Sequence, residues 1–448
     1  MRQGAFFAAA CATAFVVSSA NAQAVEQISF EEVIQIALER SSALRSSANQ
    51  LELEAVSVRA EKGDFLPNLN LNATPSVNFG FSFDQTSLQL VNETTWFANY
   101  GLSSSLNVFR GFGDVASLKQ AQLNYEAADY SHDRTTEDVI QRAILNYLQL
   151  IQDKEQVKID QENVVYQRQL LERIEEFTRV GTRPISDLYQ QQANLAEAEL
   201  RLLQAERQSQ ISKATLIGQL KLNPLGEYEF EAPSTDEVDL LPQNTDIQEL
   251  IQVAFENRAD LAAERRRIDA SRQGVRASQA AYWPEINIGG GYGSSYSSAD
   301  PLDRSFSLQL DEKRSGDVRL GVSIPIFNRF DTKYRVEQAQ VQQRDIELRY
   351  EDLEQRVALE VRQAVLDYQF AIKELEVTER QVRAAQQALD AEQERYNVGA
   401  STLVELSQVR ASYVSAASGR SSAVYNYLAR VRLVDYFVGR IRPDVVIF

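Results

Sequence analysis

The segment Asn68–Phe83, NLNLNATPSVNFGFSF, alternates polar and apolar residues along its whole length. Side chains of an extended strand point to opposite faces with a period of two. Leu69, Leu71, Ala73, Pro75, Val77, Phe79, Phe81 and Phe83 therefore share one side, and Asn68, Asn70, Asn72, Thr74, Ser76, Asn78, Gly80 and Ser82 the other. One face is greasy and the other polar but uncharged. The run outlasts the about five or six residues of an ordinary soluble strand and suits the ~9–11 tilted residues of a membrane strand. A soluble antiparallel sheet resting on a core alternates in the same way, so length is what favours a membrane wall.

Three further segments repeat the pattern. Trp96, Ala98, Tyr100, Leu102, Leu106 and Val108 alternate with Asn99, Gly101, Ser103, Ser105 and Asn107. Later come Ile286, Ile288, Tyr292 and Tyr296 against Asn287, Gly289, Gly291, Gly293 and Ser295, then Val318, Leu320, Val322, Ile324 and Ile326 against Arg319, Gly321 and Ser323. Phe79, Phe81, Phe83, Trp96, Tyr100, Tyr292 and Tyr296 fit a lipid-facing band with interfacial rings. A lipid-exposed sheet has to close on itself, since open edges leave backbone groups unpaired in hydrocarbon. Four strands cannot close when small barrels need about eight. Closure requires several chains, and the pattern is satisfied by two, three or four copies.

The four strands belong to a duplicated plan, the feature that fixes the architecture. FEEVIQIALERSSAL from Phe30 matches IQELIQVAFENRADL from Ile247, and GDFLPNLNLN from Gly63 matches AAYWPEINIG from Ala280. LNVFRGF ending at Phe112 matches IPIFNRF ending at Phe330, and RVGTRPISDL from Arg179 matches NVGASTLVEL from Asn397. AILNYL from Ala143 resembles AVLDYQ from Ala364 at a different spacing, which leaves compensating gaps or coincidence open. Each copy reads helix, strand, strand, very long helix, sharp turn, shorter helix.

The long helices are predicted over about 113–180 and 332–398, each reaching roughly 100 Å at 1.5 Å per residue. Val361, Tyr368, Leu375, Val382, Leu389 and Tyr396 recur every seven residues, interleaved with Val357, Ala364, Ala371, Thr378 and Ala385. Copy one carries the sparser series Ala143, Leu150, Val157, Val164 and Leu171. A sustained heptad means supercoiled helices packed side by side. Gly181 and Pro184 mark the turn in copy one and Gly399 that in copy two, since Gly accepts the left-handed cap and Pro suits a first helical turn.

The predicted organisation is a signal peptide over 1–22, a first repeat over 23–220, an acidic linker over 221–244, a second repeat over 245–438 and a tail over 439–448. Strands are expected at about 65–83, 96–110, 284–298 and 317–327, and the shorter return helices at about 184–220 and 402–438. The start, MRQGAFFAAACATAFVVSSANAQA, has one Arg, an apolar run and an A-x-A arrangement at Ala20 and Ala22, with cleavage expected after Ala22 and Ala24 as the second candidate. The single Cys11 lies inside that segment, with lipidation there as the alternative processing.

Among 448 residues, 46 Lys+Arg stand against 63 Asp+Glu, a net charge of -17 that argues against a nucleic-acid partner and leaves any cationic patch local. His132 is the only histidine, so no His-cluster metal site is read, and no Ser sits in a G-x-S-x-G elbow. GGGYGSS at Gly289 lies in an alternating strand and opens no helix, which makes it a poor phosphate loop. Neither a catalytic constellation nor a cofactor motif is read, and the expectation is a non-enzyme.

The duplicated plan, FLPNLNLN, YWPEINIGG, RVGTRPISDL, RYNVGASTLVELSQVR and AVYNYLARVRL together resemble the TolC family of outer-membrane efflux and secretion channels. The resemblance implies a homotrimer: a twelve-stranded outer-membrane β-barrel held in lipid and continued by a periplasmic α-helical coiled-coil barrel. It implies an exit duct of a tripartite efflux pump or type I secretion system. The partners would be a periplasmic adaptor and an inner-membrane transporter of resistance-nodulation-division or ABC type. Val180, Gly181 and Thr182, and Val398, Gly399 and Ala400, match the adaptor-docking tips, with Ala400 where the family usually has Thr. Asp187, Glu405 and Tyr396 match residues of the periplasmic entrance; Gln408 is neutral where a second carboxylate ring would fall, and Ser401 replaces an Arg that copy one carries as Arg183. A ring of carboxylates at Asp187 and Glu405 would repel itself, bind cations and obstruct anions. The plainer reading of each is a carboxylate complementing a helix N-terminus. The rival from another class is a secreted coiled-coil structural or adaptor protein with a soluble sheet and no pore.

Overall fold

A computed structural model describes residues 26–84, 88–92, 94–231, 245–300 and 302–441. The segment read as a signal peptide, with Cys11, most of the expected acidic linker and the end of the tail lie outside these residues.

Two helices of 67 residues each, α3 (Gly113–Arg179) and α8 (Asp331–Asn397), set the long dimension. Beyond Gly113 neither contains Gly or Pro, so nothing in the sequence interrupts the backbone ladder. Their equal lengths mean that any gap between the two copies inside these helices is compensated within them. The expected single helix before each strand pair is two helices in the structure: α1 (Phe30–Arg40) and α2 (Ser42–Gly63), and α5 (Ile247–Asn257) and α6 (Ala259–Gln279). The breaks fall at Ser41 and Arg258, both extended in backbone; the Ser41 hydroxyl caps α2 by accepting from Leu44 N–H at 3.2 Å. The return helices are α4 (Ile185–Gln219) and α9 (Leu403–Val438).

These helices form a ribbon four wide. Toward the strands the order is α2-α3-α6-α8, and beyond the middle it is α4-α3-α9-α8, so α3 and α8 run the full length while shorter helices replace one another beside them. The heptad series is what the ribbon buries: Val357, Val361, Ala364, Tyr368, Ala371, Leu375, Leu389 and Tyr396 on α8 are all buried. Around the middle, Phe30 meets Tyr147 edge-on at 5.1 Å, within a core that includes Ile151, Leu216 and Phe230. There β1 (Glu26–Ile28) pairs in parallel with β6 (Tyr228–Phe230), the short strand of the linker.

The sheet is antiparallel in the order β2-β5-β7-β8: β2 (Asn70–Asn78), β5 (Thr95–Arg110), β7 (Glu285–Ser297) and β8 (Ser315–Ser323). Register aligns the apolar positions across all four strands: Leu71 faces Leu102, Leu102 faces Tyr292, Leu106 faces Ile288, and Ile288 faces Leu320. The opposite face aligns Asn72, Gly101, Gly293 and Ser315. Except around Tyr100 and Tyr296, no element among the described residues covers the apolar face, where Val318 is 85% exposed and Leu71 78%. A soluble sheet would have hidden it, because apolar burial is what stabilises a half-buried sheet. Among the described residues, the outer edges of β2 and β8 pair with no further strand.

Three local expectations differ. The strand expected over 65–83 ends at Asn78; Gly80, at φ +83°, turns the chain, and β3 (Phe81–Asp84) pairs with β4 (Gln89–Asn92) as a separate hairpin. The strand expected to reach residue 327 stops at Ser323, two residues before Pro325, whose missing N–H cannot serve a ladder. An unanticipated helix, α7 (Phe306–Glu312), lies on the apolar face, with Phe306 edge-on to Tyr296 at 5.1 Å and Tyr100 at 6.0 Å.

Candidate functional site

The end of the ribbon far from the sheet holds all nine residues singled out from the sequence. Each long helix stops in the same way. Val180 ends α3, Gly181 takes φ +78°, Gly181 N–H donates to Thr178 C=O at 3.0 Å, and Thr182 N–H donates to Phe177 C=O at 2.9 Å. In copy two Gly399 also has φ +78°, its N–H donates to Tyr396 C=O at 3.1 Å, and Ala400 N–H donates to Arg395 C=O at 2.8 Å. This double bond back across the last turn is the Schellman stop, and glycine supplies the left-handed residue it needs. Thr182 adds a hydroxyl bond to Phe177 C=O at 2.9 Å; at Ala400 that is absent, and an Arg395 guanidinium N–H reaches the Ala400 carbonyl at 3.3 Å instead. Val180 and Val398 project outward, 63% and 77% exposed.

Behind the turns the two copies meet. Tyr396, in the last turn of α8, is buried with Leu170 and Ile174 of α3, Leu389, and Leu403 and Leu406 of α9. The Arg183 guanidinium, from the turn of copy one, lies 4.5 Å from the centre of the Tyr396 ring and reaches the Asp187 carboxylate at 3.8 Å. A cation over an aromatic face is attracted by the ring's negative π-cloud. Asp187 and Tyr396 are therefore brought together through Arg183, and copy one's Arg occupies the space beside copy two's ring. Burial pushes the Tyr396 phenol up, the Arg183 charge opposes that, and the Asp187 charge adds to it. The phenol stays neutral, and its hydroxyl finds no hydrogen-bond partner among the described residues.

Glu405 lies apart from that cluster, in the first turn of α9. Its Oε2 accepts from Thr402 N–H at 2.8 Å, the Ser401 hydroxyl at 2.9 Å and the Thr402 hydroxyl at 3.0 Å, while Thr402 Oγ1 accepts from Glu405 N–H at 3.3 Å. This reciprocal pair is a capping box. Those donors, the Thr402 N–H foremost, hold the Glu405 carboxyl below its usual range. The Ser401 hydroxyl also lies within hydrogen-bonding distance of buried Glu392, which Arg395 bonds at 2.7 Å, so Ser401 sits between the end of α8 and the start of α9.

Further up, polar contacts clamp α3, α4 and α9. Gln191 donates to Gln167 Oε1 at 2.8 Å, Asn194 to Ser407 at 3.0 Å, and Arg410 to Asn163 at 3.1 Å with its guanidinium 4.1 Å from the Tyr166 ring centre. Burial pulls the Arg410 guanidinium down and pushes the Tyr166 phenol up. Sequence reading missed Glu392, Gln191 and Arg410, because no periodicity marks a buried polar residue. Arg183 was visible there as a displaced arginine.

The concave face of the ribbon, between α2, α3, α6 and α8, encloses about 1330 Å3 lined by small and polar side chains such as Ser47, Asn124, Ser131, Ser271 and Gln342. No helix among the described residues is long and apolar enough to cross a membrane, so the sheet is the part with a lipid-compatible face.

Comparison with known proteins agrees with this geometry. The family model "Outer membrane efflux protein" matches residues 33–220 and 250–435, one stretch per copy. The outer membrane protein TolC of Vibrio cholerae is 23% identical over 425 residues, covering 93% of this chain and 91% of the relative. The pyoverdine export outer membrane protein OpmQ of Pseudomonas aeruginosa is 22% identical over 339 residues, covering 74% and 67%. Among solved structures, the CmeC outer membrane channel of Campylobacter jejuni superposes with a TM-score of 0.80 at 16% identity, covering 93% and 87% of the two chains. VceC of Vibrio cholerae superposes at 0.79 with 17% identity, covering 92% and 96%.

Proposed function

The chain belongs to the outer membrane efflux protein family, and from that premise we propose that it is a passive exit duct of a tripartite efflux pump or type I secretion system. Three copies would supply twelve strands and a ring of twelve helices. In this reading β2 of one copy pairs with β8 of the next, the apolar face meets lipid, and the polar face with its glycines lines the pore. The observation that carries it is the uncovered apolar face on a sheet with two unpaired edges. That arrangement is stable only when lipid covers the face and neighbouring strands cover the edges.

The periplasmic entrance in this reading is the turn end. Asp187, Arg183 and Tyr396 hold the two copies' tips together, and Glu405 sets the start of α9. Exposed Val180 and Val398, with Gly181, Thr182, Gly399 and Ala400, form the surface on which a periplasmic adaptor docks. Adaptor binding would separate the tips by competing with the Arg183–Tyr396 contact, and an inner-membrane transporter would supply both energy and cargo selection. No residue in this scheme performs chemistry on the cargo.

Planar-bilayer conductance of the detergent-purified protein, with its mass in the same detergent, tests the proposal. Discrete cation-preferring channels from a trimer are expected. A detergent-free monomer or dimer without channels would overturn it.

A further inference from the structure

We propose that a groove on the outside of the helical ribbon, directly beneath the sheet, binds the headgroup of an anionic phospholipid from the periplasmic leaflet of the outer membrane. The groove encloses about 620 Å3 between the start of α3 and the end of α6. Its walls carry Phe112, Val115 and Lys119 on one side and Arg276, Gln279 and Trp283 on the other. It lies on the side of α6 turned away from the concave cavity: Gln273, Arg276 and Gln279 line the groove, Gly274, Ala277 and Ser278 the cavity. Strand β5 ends at Arg110 and β7 begins at Glu285, so the groove sits where the sheet's apolar face gives way to helix.

Three observations converge on a lipid. Phe112, Val115 and Trp283 are exposed large apolar side chains at the lower border of an apolar face already turned to the membrane. Aromatic rings with one apolar and one wet side favour that level of a bilayer. Lys119 and Arg276 add two positive charges, and among the described residues neither is within ion-pair distance of a carboxylate. The acids flanking the junction, Asp114 and Glu285, are instead engaged by Arg110 at 3.3 and 3.7 Å. Arg276 donates only a long bond to Gln273, at 3.4 Å. In a chain of net charge -17, two cations left open beside apolar rings complement a phosphodiester whose acyl chains continue upward. Such a contact would fix the height of the barrel in the membrane.

The groove is also built tightly enough to hold a shape. Gly111, with φ +56°, brings the strand end so close to α6 that a Cβ there would lie 2.4 Å from the Ala280 carbonyl oxygen. This inference rests on the outer-membrane placement, and the test separates the two.

The chain has two tryptophans, Trp96 and Trp283, so Trp96→Phe leaves Trp283 as the sole indole reporter. The full-length protein, purified in detergent, is titrated with brominated phosphatidylglycerol or brominated phosphatidylethanolamine in mixed micelles, with mass and bilayer insertion followed in parallel. The expectation is that the phosphatidylglycerol probe quenches Trp283 at lower mole fraction than the phosphatidylethanolamine probe. Lys119→Gln with Arg276→Gln should raise the required fraction roughly thirtyfold, from the loss of two near-surface cations. Equal quenching by both lipids, or no change in the double variant while the protein still inserts as an oligomer, would overturn the site and leave the channel reading intact. Relief of quenching by millimolar inorganic phosphate would show a free-phosphate site and overturn the lipid assignment. Failure to insert would instead count against the outer-membrane placement.

Discussion

Arg183 and Tyr396 come from different copies of the duplicated plan, yet the guanidinium of one lies 4.5 Å from the ring centre of the other. The same Arg183 reaches Asp187. One side chain thus links the start of α4 to the end of α8, the two elements whose separation would widen the tip.

Removing that link should loosen the entrance. A cation–π contact at a partly exposed site contributes about 0.5–1 kcal/mol, enough to shift an open-to-closed balance roughly two- to fivefold. Arg183→Ala is expected to raise single-channel conductance or open probability in a planar bilayer, and Arg183→Lys to raise it less. An Arg183→Ala channel with wild-type currents would remove Arg183 from the closure.

Tyr396 separates ring from hydroxyl. Its hydroxyl is buried without a partner among the described residues, and an unpartnered buried polar group is costly rather than useful. Tyr396→Phe should therefore leave conductance unchanged and thermal stability equal or slightly higher, whereas Tyr396→Ala should open the tip. Higher conductance of the Phe variant would reveal a hydroxyl contact made across the assembled trimer.

Glu405 carries a pH dependence with a definite sign. Its carboxyl is lowered in the folded chain, chiefly by the Thr402 N–H and the Ser401 and Thr402 hydroxyls. The capping contribution is complete above the ordinary glutamate value of about 4.3 and is lost as pH falls through the lower folded value. Glu405→Ala should raise conductance at neutral pH, and Glu405→Gln, which keeps an acceptor for the Thr402 amide, should raise it less. Conductance of the Gln variant should lose the wild type's acid response, and an unchanged response would exclude Glu405 as its origin.

Arg258 tests the middle of the ribbon. Its side chain is 3% exposed and pairs with Asp260 at 2.6 Å and Glu360 at 2.7 Å, tying α6 to α8. Burial alone would raise the Asp260 carboxyl, but the Arg258 bonds outweigh it and leave it lowered. Its stabilisation is therefore present above the ordinary aspartate value of about 3.9 and lost as pH falls through the folded one. Breaking a buried pair from one side costs about 3 kcal/mol or more. Arg258→Met should lower the melting temperature at neutral pH and weaken its fall in acid, because the Asp260 contribution that acid removes is already gone; a melting curve matching wild type would refute the buried-pair account.

Gly111 should not tolerate a side chain. A Cβ would meet Ala280 O at 2.4 Å and Trp283 Cβ at 2.6 Å, on a backbone at φ +56°. Left-handed backbone and overpacking together cost roughly 2–5 kcal/mol. Gly111→Ala should lower the melting temperature of the detergent-purified protein, while Gly63→Ala, where a Cβ meets open space, should be neutral or stabilising by up to about 1 kcal/mol. Equal behaviour of the two variants would contradict the close approach at Gly111.

Sequence by itself determined what depends on neighbours within a few residues. Alternation from Asn68 and from Trp96 placed strands with an apolar face, the heptad from Val357 to Tyr396 placed the buried seam of α8, and Gly181 and Gly399 placed both helix stops. Each rests on a short period or a local backbone preference, which a one-dimensional string carries in full. Only the tertiary structure decided that Arg183 lies on Tyr396, that Arg258 bridges to Glu360, and that α7 folds onto Tyr100 and Tyr296. It also decided that Lys119 and Arg276 share a groove. Those pairings join residues from distant parts of the chain, and a polar or charged side chain shows no periodic sign of which partner packing will bring to it.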